Sequence, residues 1–276
     1  MDERERDETV RRIAREGDPD RALAALFAPR DARSGLNALI AFNVELSRIA
    51  DQVSEPDLGA IRLQWWRDAV AEIAAGGFIG HPVADALGKA LARPGLSHER
   101  LTAMIDARRF DIAVKIMPDW PSLEDYLAGT AAALFALQAE CLGDPGPGLA
   151  SAARQAGIAY GLTGLMRALP VHAACGRLTL PADALRAHGT SPDAVLAGRT
   201  SEGLRTVLAA LREKARTALG QARREVSMLD PPIRIAFLPL GLVEPYLAAL
   251  ANARDPLREI AGINPLHRLW RLGRWG

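Results

Sequence analysis

The 276-residue chain holds only two cysteines, Cys141 and Cys175. They are too few and too far apart for a disulfide framework or a zinc ribbon, and a reducing compartment such as the cytosol suits them. Lysine is scarce too: Lys89, Lys115 and Lys214 are the whole set, and Arg supplies the other basic charges. Genomic base composition accounts for that bias, since phosphate recognition by Arg forks would need the arginines clustered. Aromatic residues make up 5% and the net charge is +1. So even a balance, without a dense basic patch, speaks against a nucleic-acid binder. Long apolar runs are missing as well; Leu127–Leu137 is too short to span a bilayer. Met1 to Arg6 is charged and has no apolar stretch, so it reads as no secretory signal, and its acids do not suit a mitochondrial presequence. A cytoplasmic protein, soluble or peripheral, is expected.

What the chain does have is apolar residues, 49% of the total, rich in Ala and Leu. That is enough for a sizeable core and favours helices over strands. Apolar positions recur at helical spacing almost throughout, and no strand pattern or internal repeat is visible. The spacing predicts helices over Arg21–Phe27, Asp31–Ala50 and a segment capped by Asp57 that stops at Gly76-Gly77. Further helices are predicted over Pro82–Leu91, Ser97–Val114 after a Pro94-Gly95 turn, Ser122–Leu142 capped by Ser122, and Leu149–Ala168. Ser201–Ser227 and Leu238–Ala251 complete the set. No linker divides the chain, so residues 1–276 read as one domain, with a charged segment at 1–20 and a basic, Trp-containing tail at 262–276.

Several motifs in order carry a resemblance. Ala38-Leu-Ile-Ala-Phe-Asn-Val-Glu-Leu-Ser-Arg-Ile-Ala-Asp51 resembles the first signature of the squalene/phytoene synthase family, roughly A-L-Y-A-F-x-R-x-x-D-D-I-x-D. The likeness continues through Gln64-Trp-Trp-Arg-Asp68, His81-Pro-Val83, Leu123-Glu-Asp-Tyr126, Gly157 to Arg167 and Arg177-Leu-Thr-Leu-Pro181, covering roughly residues 30 to 250. The resemblance implies an all-α fold, an isoprenoid-synthase-type helical bundle around a central cavity. It also implies chemistry on prenyl diphosphates, in which Mg²⁺ held by two Asp-rich helices stabilises the departing pyrophosphate. A D-x-x-x-D spacing puts both acids on one helical face.

The sequence departs from that pattern at the acids. The first D-x-x-x-D falls on Ser47 and Asp51, and Arg48 stands where the family has the second Asp of its D-D pair. The second region, N-x-x-R-D-x-x-x-D, falls on Gly164, Arg167, Ala168 and His172, and only the Arg survives. One carboxylate is a poor cradle for magnesium. A shifted pair of Asp51 and Glu55 has the right spacing, but Pro56 draws Glu55 away from the α region. The residual diphosphate or metal candidates are therefore Asp51, Glu55, Asp111, Arg167 and Arg177. Ser47, Tyr126, Gly157, Gly161, Gly164 and His172 are candidates to line a cavity. No catalytic or metal-ligating residue is assigned. No cofactor is expected, and Mg²⁺ enters only under an enzymatic reading. Pro170 is expected to break the helix that would carry the second acidic motif.

Phe42-Asn-Val-Glu-Leu46, the Val53–Pro56 turn and Arg167-Ala-Leu-Pro-Val-His172 resemble a divergent branch of the family. That branch contains the mitochondrial assembly factor for respiratory complex I (NADH:ubiquinone oxidoreductase). It implies a protein without prenyl transferase activity that works with complex I subunits or assembly intermediates near the inner membrane. Two other readings stay open: an active Mg²⁺-dependent prenyl transferase, and a binder of lipid, isoprenoid or quinone. Each singled-out residue also has a plain structural reading. The Gly157, Gly161 and Gly164 stripe serves close helix packing as readily as a cavity wall. Arg167 and Arg177 can pair with Asp51 or Asp111 as readily as with phosphate. Trp65 and Trp66 point about 100° apart, so one belongs to the core. The tail Pro265–Trp275 either packs across the bundle or meets an anionic membrane surface.

Overall fold

The computed structural model describes residues 3–53, 55–93 and 95–275. Met1, Asp2, Ser54, Pro94 and Gly276 lie outside the described residues, and with them part of the expected Val53–Pro56 and Pro94-Gly95 turns. The described residues form helices and no named strand. Arg4 to Gly17 lies in α1 (Glu3–Gly17), and α2 (Pro19–Ala24) follows with a 3₁₀ turn, Ala25–Phe27. Asp18 caps α2 through Arg21 N–H, with Pro19 at the first helical position. Next come α3 (Arg33–Gln52) and α4 (Pro56–Ala74). Here Glu55, not Asp57, is the cap residue of α4, because Pro56 fixes the first turn. Gly76, at φ +86°, ends that segment as expected.

Pro82–Leu91 is α5, with the bounds the sequence predicts and His81 as its cap. The predicted Ser97–Val114 helix is split into α6 (His98–Ala107) and α7 (Arg109–Ala113) at Arg108, whose side chain turns inward. In α8 (Trp120–Leu127) the cap is Asp119, which accepts from Ser122 N–H at 2.9 Å, so Ser122 is not the cap. A π-helical turn, Ala128–Ala132, leads into α9 (Ala133–Leu142).

The long α10 (Leu149–Ala174) runs straight through Pro170, which was expected to end it. Pro170 removes one N–H and crowds the carbonyl of Met166, a cost of about 3 kcal/mol. Met166, Leu169 and Ala173 are all buried in the core, and that packing offsets the lost bond. After α10 come α11 (Ala182–Ala187), α12 (Pro192–Leu196) and α13 (Glu202–Val226), the last matching the predicted Ser201–Ser227 helix and capped by Ser201. Then follow α14 (Pro231–Arg234), a 3₁₀ stretch Ile235–Leu242 in place of the predicted helix start, α15 (Val243–Ala251) and α16 (Pro265–Gly273). Pro239, without an N–H, sits inside the 3₁₀ stretch.

Pro231–Ala251 is long and apolar enough to cross a membrane by length and composition, which exceeds the Leu127–Leu137 run. It is a core segment here: Phe237, Leu240, Val243 and Leu247 are each fully buried. The core is two large apolar clusters. One gathers α8, α10, α13 and the 231–247 region; the other gathers α1, α3, α4 and α5, and α9 contributes to both. Trp66 enters the second cluster against Phe42 and His81, while Trp65 stays 41% exposed.

Candidate functional site

The glycines of α10 set how closely its neighbours approach. A Cβ on Gly157 would lie 2.6 Å from the backbone N of Ala132, and one on Gly161 would lie 2.5 Å from Leu127. Both glycines therefore seat α8 and the π turn, and neither lines the two cavities described next. Beside this contact α10 borders two small cavities on different sides.

The first, of about 200 Å³, lies among α3, α7, α8 and α10 and is lined by Ser47, Asp51, Arg108, Asp111, Lys115, Tyr126, His172, Arg177 and Thr179. One part of its lining is tied by a parallel bridge between Ile116 and Leu178, with Met117 N–H donating to Leu178 O at 2.8 Å. That bridge fixes Arg177 and Thr179 in the lining. The structure thus brings together six predicted residues from distant segments: Ser47, Asp51, Asp111, Tyr126, His172 and Arg177. Glu55 is not among them. Val53 is already extended and Glu55 (φ −107°, ψ 130°) heads the next helix, so the Asp51–Glu55 pair on one helical face does not form.

Each carboxylate of this cavity already has a cation. Arg177 donates to Asp51 and forms an ion pair with it. Arg108, a residue the sequence reading passed over, donates to Asp111 at 3.0 Å, to the Tyr126 hydroxyl at 2.9 Å and to Asn43 of α3 at 2.9 Å. Ser47 Oγ donates to the carbonyl of Val44. Two acids thus face Arg108, Arg177 and Lys115, so the lining is net positive. Among the described residues no three His, Cys, Asp or Glu side chains converge to hold a metal ion. Mg²⁺ wants several oxygen ligands around it. Two carboxylates, each already engaged by an Arg, do not fit that requirement.

Burial holds the Tyr126 phenol far above its ordinary value, against the pull of Arg108. Burial also lowers the His172 pKa, and Arg177 lowers it further; its Nδ1 sits 3.5 Å from Thr179 Oγ1. The folded state then binds fewer protons at His172 than the unfolded chain does. That contribution is complete above the unfolded value of about 6.5 and is lost as pH falls below it. Urea unfolding at pH 7.5 and pH 5.0 should show that His172→Gln loses less stability on acidification than the wild type does. His81, lowered mainly by burial, acts in the same direction, so the slope shrinks without vanishing. An unchanged slope in His172→Gln would contradict this assignment.

Gly164 and Arg167 belong to the second cavity, of about 250 Å³, with Asp18, Asp20, Tyr160, Thr163 and Tyr246. Arg167 lies over the Tyr246 ring at 3.7 Å, donates to Ala261 O at 3.1 Å and is 3.9 Å from Asp20. Asp20 also accepts from Tyr246 at 2.8 Å and pairs with Arg268 of α16 at 2.9 Å. Of the two surviving arginines, then, Arg177 binds Asp51 and Arg167 braces the C-terminal region. No spacing in the sequence marks the Asp18–Asp20 segment, because its partners come from α10, α15 and α16.

A helical bundle of this shape, with a remnant of two acidic regions at a cavity beside α10, defines a class. The sequence profile of squalene/phytoene synthases matches residues 14–273, and the chain belongs to that family. Among its relatives, the bovine protein named NADH dehydrogenase (ubiquinone) complex I, assembly factor 6 is 33% identical over 235 residues, 85% of this chain and 71% of that protein. The presqualene diphosphate synthase of Rhodopseudomonas palustris is 30% identical over 199 residues, 70% of this chain and 68% of that enzyme. The crystal structure of squalene synthase HpnC from Alicyclobacillus acidocaldarius superposes with a TM-score of 0.80 at 23% identity, covering 92% of this chain and 95% of that one. The expected all-α isoprenoid-synthase-type fold is therefore the observed one.

Proposed function

We propose that this chain is a squalene/phytoene synthase family member without prenyl transferase activity that serves the assembly of respiratory complex I. The observation that carries the first half is the pairing of Asp51 with Arg177 and of Asp111 with Arg108, in a cavity whose lining is net positive. Pyrophosphate departure needs charge stabilisation from metal ions that such a lining repels. The second half rests on the relatives named as complex I assembly factor 6, at 31–33% identity in four mammals. Its partners would be complex I subunits or assembly intermediates, met at the cytoplasmic side of the membrane that carries the complex.

A second reading, an active prenyl transferase, is favoured by the 30% identity to a presqualene diphosphate synthase. It would have to work with Asp51 and Asp111 alone. Binding of a lipid or quinone in the interior is less well supported: the cavities of about 200 and 250 Å³ fall below the roughly 300–1,000 Å³ of ordinary ligand sites. Deleting the gene and resolving membrane complexes on native gels tests the assembly role. Loss of mature complex I, restored by the wild-type gene, is the expected result. Unchanged complex I in the deletion would sink it.

A further inference from the structure

The C-terminal helix α16 is docked by one side only. Leu272 is fully buried, Arg268 pairs with Asp20, and Arg271 donates to Gly241 O at 3.0 Å. The other side is apolar and bare: Leu266 is 80% exposed, Leu269 49% and Trp270 54%. These three fall within about 100° of one another around the helix. Phe27, itself 42% exposed, lies 3.9 Å from where a Cβ on Gly273 would sit, so the turn after α2 extends the same surface.

Charge on this side is mostly positive. From residue 260 to the end there is no acid, and the Arg274 guanidinium lies 5.1 Å from the Trp270 ring. Leu26 and Arg30, on either side of Phe27, open into a groove of about 500 Å³. Arg11, Arg30, Arg33, Lys89 and Arg93 line it, against the single acid Asp7. Arg11 and Arg93 have only exposed partners, Glu8 at 3.2 Å and Asp31 at 3.9 Å. Such exposed pairs are weak and yield readily to a better anion. Among the described residues Arg30 has no ion-pair partner.

We infer that the exposed face of α16, together with the Leu26–Arg30 turn and its basic groove, docks on an anionic phospholipid bilayer. Apolar side chains with an interfacial Trp enter the boundary between headgroups and acyl chains, while the flanking arginines meet lipid phosphates. The groove beside them accepts a headgroup phosphate. This inference is independent of the complex I reading, since either can fail while the other stands.

Sedimentation of the full chain with vesicles tests it. With phosphatidylglycerol mixed into phosphatidylcholine, the protein should pellet at least tenfold better than with phosphatidylcholine alone. Raising the salt to about 0.5 M should release it. Leu266→Glu/Trp270→Glu should abolish binding, and Arg30→Glu/Arg93→Glu should weaken it roughly thirtyfold. All four positions are exposed, so unchanged circular dichroism and urea midpoints are expected in both variants. No pelleting with anionic vesicles, equal pelleting with neutral ones, or folded variants that bind like wild type would each overturn the proposal. Saturable capture by a membrane protein in vesicles of native composition, without binding to the pure lipid, would also overturn it.

Discussion

Arg21→Ala should cost about 3–5 kcal/mol of folding free energy, a large share of the roughly 5–15 kcal/mol available to a domain. Arg21 is 2% exposed, and its guanidinium is engaged on every side. It donates to Gln138 Oε1 at 2.7 Å, pairs with Asp18 at 3.3 Å, and lies over the rings of Phe135 at 4.1 Å and Tyr160 at 4.6 Å. Removing it leaves the Asp18 carboxylate without its cation, strands the Gln138 amide and opens a void beside the Phe135 and Tyr160 rings. An unpaired charge in a buried setting is the expensive part of that loss. Arg21→Met, which fills the void, should recover only a fraction. Arg21→Met with Asp18→Asn should recover more, because the orphaned charge is then gone. Urea midpoints for wild type, Arg21→Met, Asp18→Asn and the double variant form the cycle that isolates the pair. A loss below about 1 kcal/mol in Arg21→Ala would show that this junction of α2, α9 and α10 does not hold the fold.

The same junction marks what the sequence could and could not convey. Element ends were legible where a local signal acts alone, as with Pro82–Leu91 between His81 and a turn, or Ser201 at the head of α13. They misled where two signals compete. Asp119 caps α8 because Pro121 already belongs to the first helical turn, which puts Ser122 inside. Pro170 failed to stop α10 because burial of Leu169 and Ala173 outweighs one missing hydrogen bond. The remnant of the acidic motifs could be located by order and spacing, and Ser47, Asp51, His172 and Arg177 do share a cavity. Arg108 and Asp20 could not be found that way. Arg108 reaches Asn43 across 65 positions and Asp20 reaches Tyr246 across 226, and no periodicity encodes such meetings. The pairing of Arg177 with Asp51 across 126 positions is one of the structural readings the sequence left open for that arginine.

The largest effect concerns turnover. Enzymes commonly reach about 1–10³ s⁻¹, and the loss of metal-borne charge stabilisation removes the main source of that rate for a diphosphate leaving group. Here the positions of four acids hold Ser47, Arg48, Ala168 and His172. Asp51 is bound by Arg177, and Asp111 by Arg108. Supplying Mg²⁺ cannot restore what the lining lacks, and the cations already present compete for both carboxylates. The account therefore predicts that purified protein, given farnesyl or geranylgeranyl diphosphate with Mg²⁺, releases pyrophosphate no faster than a protein-free blank. Mg²⁺-dependent release well above that blank, abolished by Asp51→Asn, would contradict it.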